Sequence, residues 1–296
     1  MKKNSLVSHI ALLGANLIYG ANYVIAKGIM PDYFPPRAIV FIRIFGALIL
    51  FWLFGLFNKK EKVERKDLFK LAFCAVFGVA LNQTIFFEGL NLTTPINSSI
   101  IMTINPILVL VFSYFIIKDK ITLYKIIGIM AGGSGAALLI LNQGNISFSS
   151  DTFVGNLFIV INASSFALYL VLVKPLMMKY SPWTILKWIF LFGFIYILPF
   201  SLHKIYSVDY SSIPNSAWLS ILYIILGTTF LGYLLYNFAL KRISPLIAGT
   251  YIYLQPLFAS IIAISIGQDV LSFNAVLSAI LIFAGVYFVS AKNDRQ

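Results

Sequence analysis

The chain has 296 residues, 60% of them hydrophobic and only 11% charged, and its mean hydropathy is +0.90. A soluble domain of this size carries roughly a quarter charged residues, so the composition excludes a soluble protein and indicates a polytopic membrane protein. The net charge of +12 raises nucleic acid as a partner, but the basic residues gather in short loops, as membrane topology requires, and no nucleic-acid partner is predicted.

In chain order, ten apolar segments approach the roughly 20 residues that a spanning helix needs: 6–26, 38–57, 68–89, 95–117, 123–141, 153–173, 183–201, 217–239, 245–266 and 273–291. The first follows Met1-Lys2-Lys3, as in a signal peptide. It is too long for one and has no small-x-small cleavage site, so it reads as the first spanning helix. Loop charges set the direction. One side carries Lys2 and Lys3, then Lys59, Lys60, Lys62, Arg65 and Lys66, then Lys118, Lys120 and Lys125. It continues with Lys174 and Lys179, Lys241 and Arg242, and Lys292 and Arg295. The other side has only Lys27, Arg37 and Lys204. Both termini are therefore predicted to be cytoplasmic.

Ten helices divide into two fives, and a duplicated unit with an odd number of spans must enter the membrane in opposite senses. The sequence supports the duplication. Pro95, Pro106, Asp119 and Gly135 recur, 150 residues later and without a gap, as Pro245, Pro256, Asp269 and Gly285. The predicted fold is all-α, with ten transmembrane helices in two inverted five-helix repeats, 1–142 and 153–291.

Pro106 lies about 17 Å along the axis from Pro95, at about 1.5 Å per residue, near the middle of a hydrocarbon core about 30 Å thick. Each inner proline follows an amide, Asn105 or Gln255, and deprives the carbonyl four residues back, Met102 or Ile252, of its donor. Ser98 and Met102 share a face with Asn105, as Tyr251 does with Gln255. Two readings stand: kinked, cavity-lining helices around a midplane site, or packing kinks with helix–helix hydrogen bonds. Duplication favours the first. Helix 1 carries Asn16, Tyr19 and Tyr23, and helix 6 carries Asn162, Ser165 and Tyr169, both at i, i+3, i+7 on one face. Such polar stripes must face the bundle interior, as a substrate wall or as interhelical hydrogen bonds. Helices 3 and 8 add Asn82 and Gln83, then Tyr233, Tyr236 and Asn237. The spans hold few charges. Arg43 lies about 9 Å into helix 2. Lys27 and Glu88 lie near helix ends, and Glu88 is the only carboxylate in a predicted span. It is read as an ion-pair partner of Lys27 or Arg43, or as surface-exposed, against a proton-coupling role. Helices 5 and 10 carry Gly128-x-x-x-Gly132 with Gly135, and Ala275-x-x-x-Ala279 with Gly285. These are small-residue patterns for internal packing or for a dimer.

Catalytic chemistry is not indicated. There is no GxxxxGK[ST] loop and no HExxH, and the histidines are His9 and His203 alone. The lone Cys74 excludes a disulfide within the chain and a thiolate metal site. No cofactor, metal or enzymatic activity is predicted.

Several stretches resemble the EamA-type branch of the drug/metabolite transporter superfamily. They are 89–95 followed by Asn105-Pro106, the 119–122 stretch and Gly128, then 239–245 followed by Gln255-Pro256 and the 269–272 stretch, and Arg43 with Ala47. The resemblance covers nearly the whole chain as two tandem EamA-like halves. Asp119 and Asp269 stand where the family commonly has Glu, and proline at the starts of helices 4 and 9 is unusual. The resemblance implies a secondary transporter of small metabolites, such as amino acids or related amphipathic compounds, in the inner membrane. It would be an exporter working by alternating access around a central cavity, as a monomer or a homodimer. An importer or facilitative carrier, and a non-transporting membrane enzyme or structural protein, are the alternatives. The amides, hydroxyls and aromatics of the midplane favour a neutral, zwitterionic or aromatic substrate over a strongly anionic one, unless Lys27 or Arg43 reaches inward.

Overall fold

The computed structural model describes residues 3–58, 60–141, 150–265 and 273–291. Lys2, Lys59, the 269–272 stretch, Lys292 and Arg295 lie outside them. Among the described residues the chain forms ten helices: α1 (Lys3–Lys27), α2 (Pro36–Gly55), α3 (Arg65–Leu92), α4 (Pro95–Ile117), α5 (Leu123–Leu141), α6 (Ser150–Lys179), α7 (Pro182–Ile205), α8 (Asn215–Leu240), α9 (245–265) and α10 (Phe273–Ala291). Seven of them, α1 to α4 and α6 to α8, are long and apolar enough to cross a bilayer. Of the other expected spans, α5 and α10 have 19 residues each, and α9 is interrupted. The chain is an all-α polytopic membrane protein. Its polarity is inside out: Phe57, Phe69, Phe115, Phe153 and Phe200 are exposed, while Asn16, Gln83, Asn162 and Asn237 are buried. Lipid accepts the first set, and only protein or trapped water accepts the second.

The prolines at the starts of α4 and α9 have a local cause. The side chains of Thr94, Ser181 and Ser244 each accept a hydrogen bond from the backbone N–H three residues on, and Pro95, Pro182 and Pro245 follow them as first helical residues. A Ser or Thr cap followed by proline starts a helix well, because the N–H that proline lacks has no partner there.

Four helices are irregular inside, and they correspond between the halves. In α4 the helix stops at Met102 and restarts at Asn105, with Thr103 and Ile104 bonded three residues back, just before Pro106. In α9 it tightens to a 3₁₀ turn over Tyr251–Tyr253 before Pro256. Both changes follow from a proline that clashes with the preceding turn and donates nothing. In α3 and α8 the turn instead widens to π geometry, over Val76–Ala80 and Ile224–Gly232. The Thr228 and Thr229 hydroxyls both donate to Ile224 O, at 2.7 and 2.6 Å.

Packing joins α3 to α6, α8 to α1, α4 to α6, α9 to α1, α2 to α7 and α5 to α10. Exchanging the five-helix halves maps this set of pairs onto itself. The α5–α10 contact is backbone on backbone. A Cβ at Gly285 would lie 2.6 Å from Gly128 O, and one at Gly135 would lie 2.7 Å from Leu281 Cβ. The small-residue pattern thus closes a contact within one chain.

Candidate functional site

A cavity lies where the irregular helices meet. From α1 come Tyr19, Asn22 and Tyr23, at the i, i+3, i+4 spacing of one helical face. Arg43 comes from α2, and Asn82, Gln83 and Phe86 come from α3 just past its π turn. Met102 stands at the break in α4 and Ile252 with Gln255 at the break in α9; Asn162 and Phe166 from α6 and Tyr233 from α8 complete the wall. Both halves contribute.

Of the polar residues expected here from sequence, Tyr19, Tyr23, Asn82, Gln83, Asn162, Tyr233 and Gln255 line the cavity, with Met102. The remaining ones do not. Asn16 accepts from Gln255 Nε2 at 2.9 Å, which orients that amide, while Tyr23 OH donates to Gln255 Oε1 at 3.1 Å. Asn105 Nδ2 donates to Ala163 O at 2.8 Å and ties α4 to α6. Ser165 donates to Phe77 O, Tyr169 to Asn237 Oδ1 and Tyr236 to Ala248 O, at 2.6 to 2.7 Å. Asn237 also donates to Tyr233 O. Tyr251 OH lies 2.6 Å from His9 Nδ1. Ser98 is buried away from the cavity. The two proline-linked amides are therefore unequal: Gln255 faces the cavity and Asn105 is a helix–helix tie. Asn22, Phe86, Phe166 and Ile252 were not expected. Asn22 was legible, three residues after Tyr19 on a face already assigned to the interior. The others are apolar residues among many, and only packing places them.

The charged residues require a correction. Glu88 pairs with neither Lys27 nor Arg43; it accepts from Arg37 Nε at 2.6 Å, with both side chains partly exposed. Arg37 follows the first residue of α2 and reaches the end of α3. Lys27 does not enter the cavity either. Its Nζ donates to Leu90 O and Asn91 O, at 3.0 and 2.7 Å, where the last carbonyls of α3 lack helical partners. Lys174 of α6 treats α8 the same way, donating to Leu240 O and Ile243 O at 2.6 and 2.7 Å. Among the described residues lining the cavity, Arg43 is the one that carries a charge. Its Nε donates to Thr229 Oγ1 at 2.8 Å, its Nη2 reaches Thr228 Oγ1 at 3.5 Å, and its guanidinium stands 4.8 Å from the centre of the Phe87 ring. No described carboxylate pairs with it.

The comparisons agree with this architecture. The model of the EamA-like transporter family matches residues 6–141 and again 153–291. An uncharacterized transporter of Bacillus subtilis, YyaM, is 28% identical over 95% of this chain and 93% of its own length. One from Archaeoglobus fulgidus is 27% identical over 97% of this chain and 99% of its own. A solved crystal structure superposes with a TM-score of 0.76 over 99% of both chains; at 15% identity it speaks for the fold alone. Two matches of one family model, a ten-helix bundle and a polar cavity shared by its halves have one common account: the chain belongs to the EamA-like transporter family.

Proposed function

We propose that this membrane transporter is a secondary exporter of small metabolites, working by alternating access in the inner membrane. Its halves, 1–142 and 153–291, would be inverted repeats, with both termini cytoplasmic. The observation that carries the reading is the cavity, which lies between the halves and is bounded on α3, α4, α8 and α9 by interrupted helices. Interrupted helices at a repeat interface are where secondary transporters bind substrate. The alternation of basic loops and the exchange symmetry of the helix pairs support the inversion.

Purified protein in liposomes loaded with a broad metabolite mixture tests the transport step. The expected result is saturable counterflow of at least one compound, reduced by Gln255→Ala and by Asn162→Ala in protein that remains folded. Absence of flux and of competition across the panel would overturn the reading. Flux that only runs inward would replace export by import. Reporter fusions at the two termini test the topology, and a periplasmic signal from either end refutes it.

A further inference from the structure

We propose that the cavity selects a small carboxylate that also carries a hydrogen-bond donor, a hydroxy acid or an amino acid. The carboxylate would sit on the Arg43 guanidinium and the donor on Gln83 Oε1 and Asn22. This deepens the transport reading above and rests on it for the word substrate, but not for the binding site.

Arg43 is 4% exposed, so its charge is almost wholly withdrawn from bulk water. Withdrawing a cation without an anion is costly. Its hydrogen bonds among the described residues go only to the hydroxyls of Thr228 and Thr229. Both of those hydroxyls also donate to Ile224 O, so they accept from Arg43 as neutral groups. Nη1 makes no hydrogen bond with a described residue, and the guanidinium borders the cavity. A planar fork with free N–H donors in a desolvated hollow matches a carboxylate, which accepts two of them side by side.

The opposite polarity is present in the same cavity. Gln83 is 2% exposed, and its Oε1 is buried without a partner. The orientation of this amide follows from its neighbours. Tyr233 OH donates to Gly78 O at 2.8 Å, so its single proton is committed. The 2.6 Å contact between Gln83 and that phenol oxygen must then come from Nε2, which turns Oε1 away as an acceptor. Asn22 is 5% exposed, and its Oδ1 is likewise buried without a partner. Unpaired buried acceptors are costly in a finished core, and two of them beside an unpaired cation describe a site whose third party is a ligand. Tyr19, Tyr23, Phe86 and Phe166 supply the apolar wall between.

The test uses the purified full-length protein in detergent and reads ligand-induced thermal stabilisation. The probes are lactate, phenyllactate, alanine and phenylalanine, each beside its carboxamide, with phenylpropionate as the acid that lacks a donor. At least one donor-bearing acid should raise the melting temperature while its amide does not. Arg43→Gln should weaken that acid by roughly ten- to a hundredfold, the scale of one charge-assisted bidentate contact, and Arg43→Lys should recover part of it. Gln83→Met with Asn22→Leu should reduce the donor-bearing acids to the level of phenylpropionate and leave phenylpropionate unchanged. These last variants keep Arg43 and serve if Arg43→Gln does not fold. Three results would overturn the inference: amides that stabilise as well as acids, no response to any acid, or a folded Arg43→Gln with unchanged response. Acid binding without any flux in liposomes would instead sink the transport reading and leave the site standing.

Discussion

Tyr233 ties α8 to two points of α3 with one oxygen. Its hydroxyl donates to Gly78 O in the π turn of α3 and accepts from Gln83 Nε2. It thereby satisfies a carbonyl of the widened turn and sets the direction of a cavity amide. Tyr233→Phe should cost about 1–3 kcal/mol, the range for stranding buried polar partners, measured as a lower denaturation midpoint in detergent. It should also free Gln83 to rotate and so blur discrimination between acids with and without a donor. Tyr169→Phe strands Asn237 Oδ1 in the same way. It should lower stability by a similar amount and leave that discrimination intact, because Tyr169 does not line the cavity.

At the scale of elements, the prolines matter for the freedom they preserve. An alanine in place of Pro256 restores the N–H that Ile252 O lacks, and interior proline costs about 3 kcal/mol relative to alanine in a regular helix. Pro256→Ala should therefore raise the melting temperature and slow counterflow, since a helix without its break resists the rearrangement that alternating access needs. A kink serving packing alone would leave the flux unchanged. The α6–α7 corner is a second device. Lys179 Nζ and Tyr180 OH both donate to Asp67, at 2.9 Å each, and Ser181 donates from N and Oγ to Glu61, at 2.8 and 2.9 Å. Acids of one half thus hold a corner of the other. Burial alone would raise the Glu61 pKa, but hydrogen bonds from Thr184 and Ser181 and the Lys241 charge outweigh it and hold the carboxyl below its ordinary value. A carboxyl held low contributes stability that is present above its unfolded value, about 4.3, and lost as pH falls through the folded one. The Ser181 amide should exchange faster on acidification through that window, and Glu61→Gln should remove the pH dependence.

At the scale of the molecule, the halves are alike in plan and unlike in use. Helices α5 and α10 meet through Gly128, Gly132, Gly135 and Gly285 at distances that leave no room for a methyl group. Gly285→Leu should destabilise the monomer by about 1–3 kcal/mol or more through overpacking. It should leave the particle mass in size-exclusion light scattering unchanged, because the contact lies within one chain. A shift in mass instead of stability would mean that the stripe serves a dimer. The lysine caps at Leu90 and Leu240 are matched across the halves. The proline-linked amides have diverged, and Arg43 has no basic equivalent among the residues lining the cavity. Duplication built a symmetric frame, and the site within it is asymmetric.

Much of this was open to reading in the chain itself. Hydrophobic runs of spanning length determined ten helices, because a backbone in lipid must close its own hydrogen bonds. The 150-residue recurrence of Pro–Pro–Asp–Gly marked the duplication. The i, i+3, i+7 stripes identified which faces of α1 and α6 turn inward, because polar groups cannot face hydrocarbon. Tertiary structure decided how those inward groups are used. Asn16, Tyr169 and Asn237 each bond a neighbour on another helix and Asn105 donates to α6, while Asn22 and Gln83 keep open acceptors on the cavity wall. Which amide finds a partner depends on rotations and distances between helices far apart in sequence, and a helical period carries none of that. The same holds for charge. Glu88 and Arg43 are both ionisable residues in apolar runs, yet one meets Arg37 at the rim and the other meets only two hydroxyls and a ring at the centre. Sequence determined that these charges lie in the membrane protein's spans. Only the packing of α2 against α8 and α3 decided that Arg43 would be the one without a counter-ion.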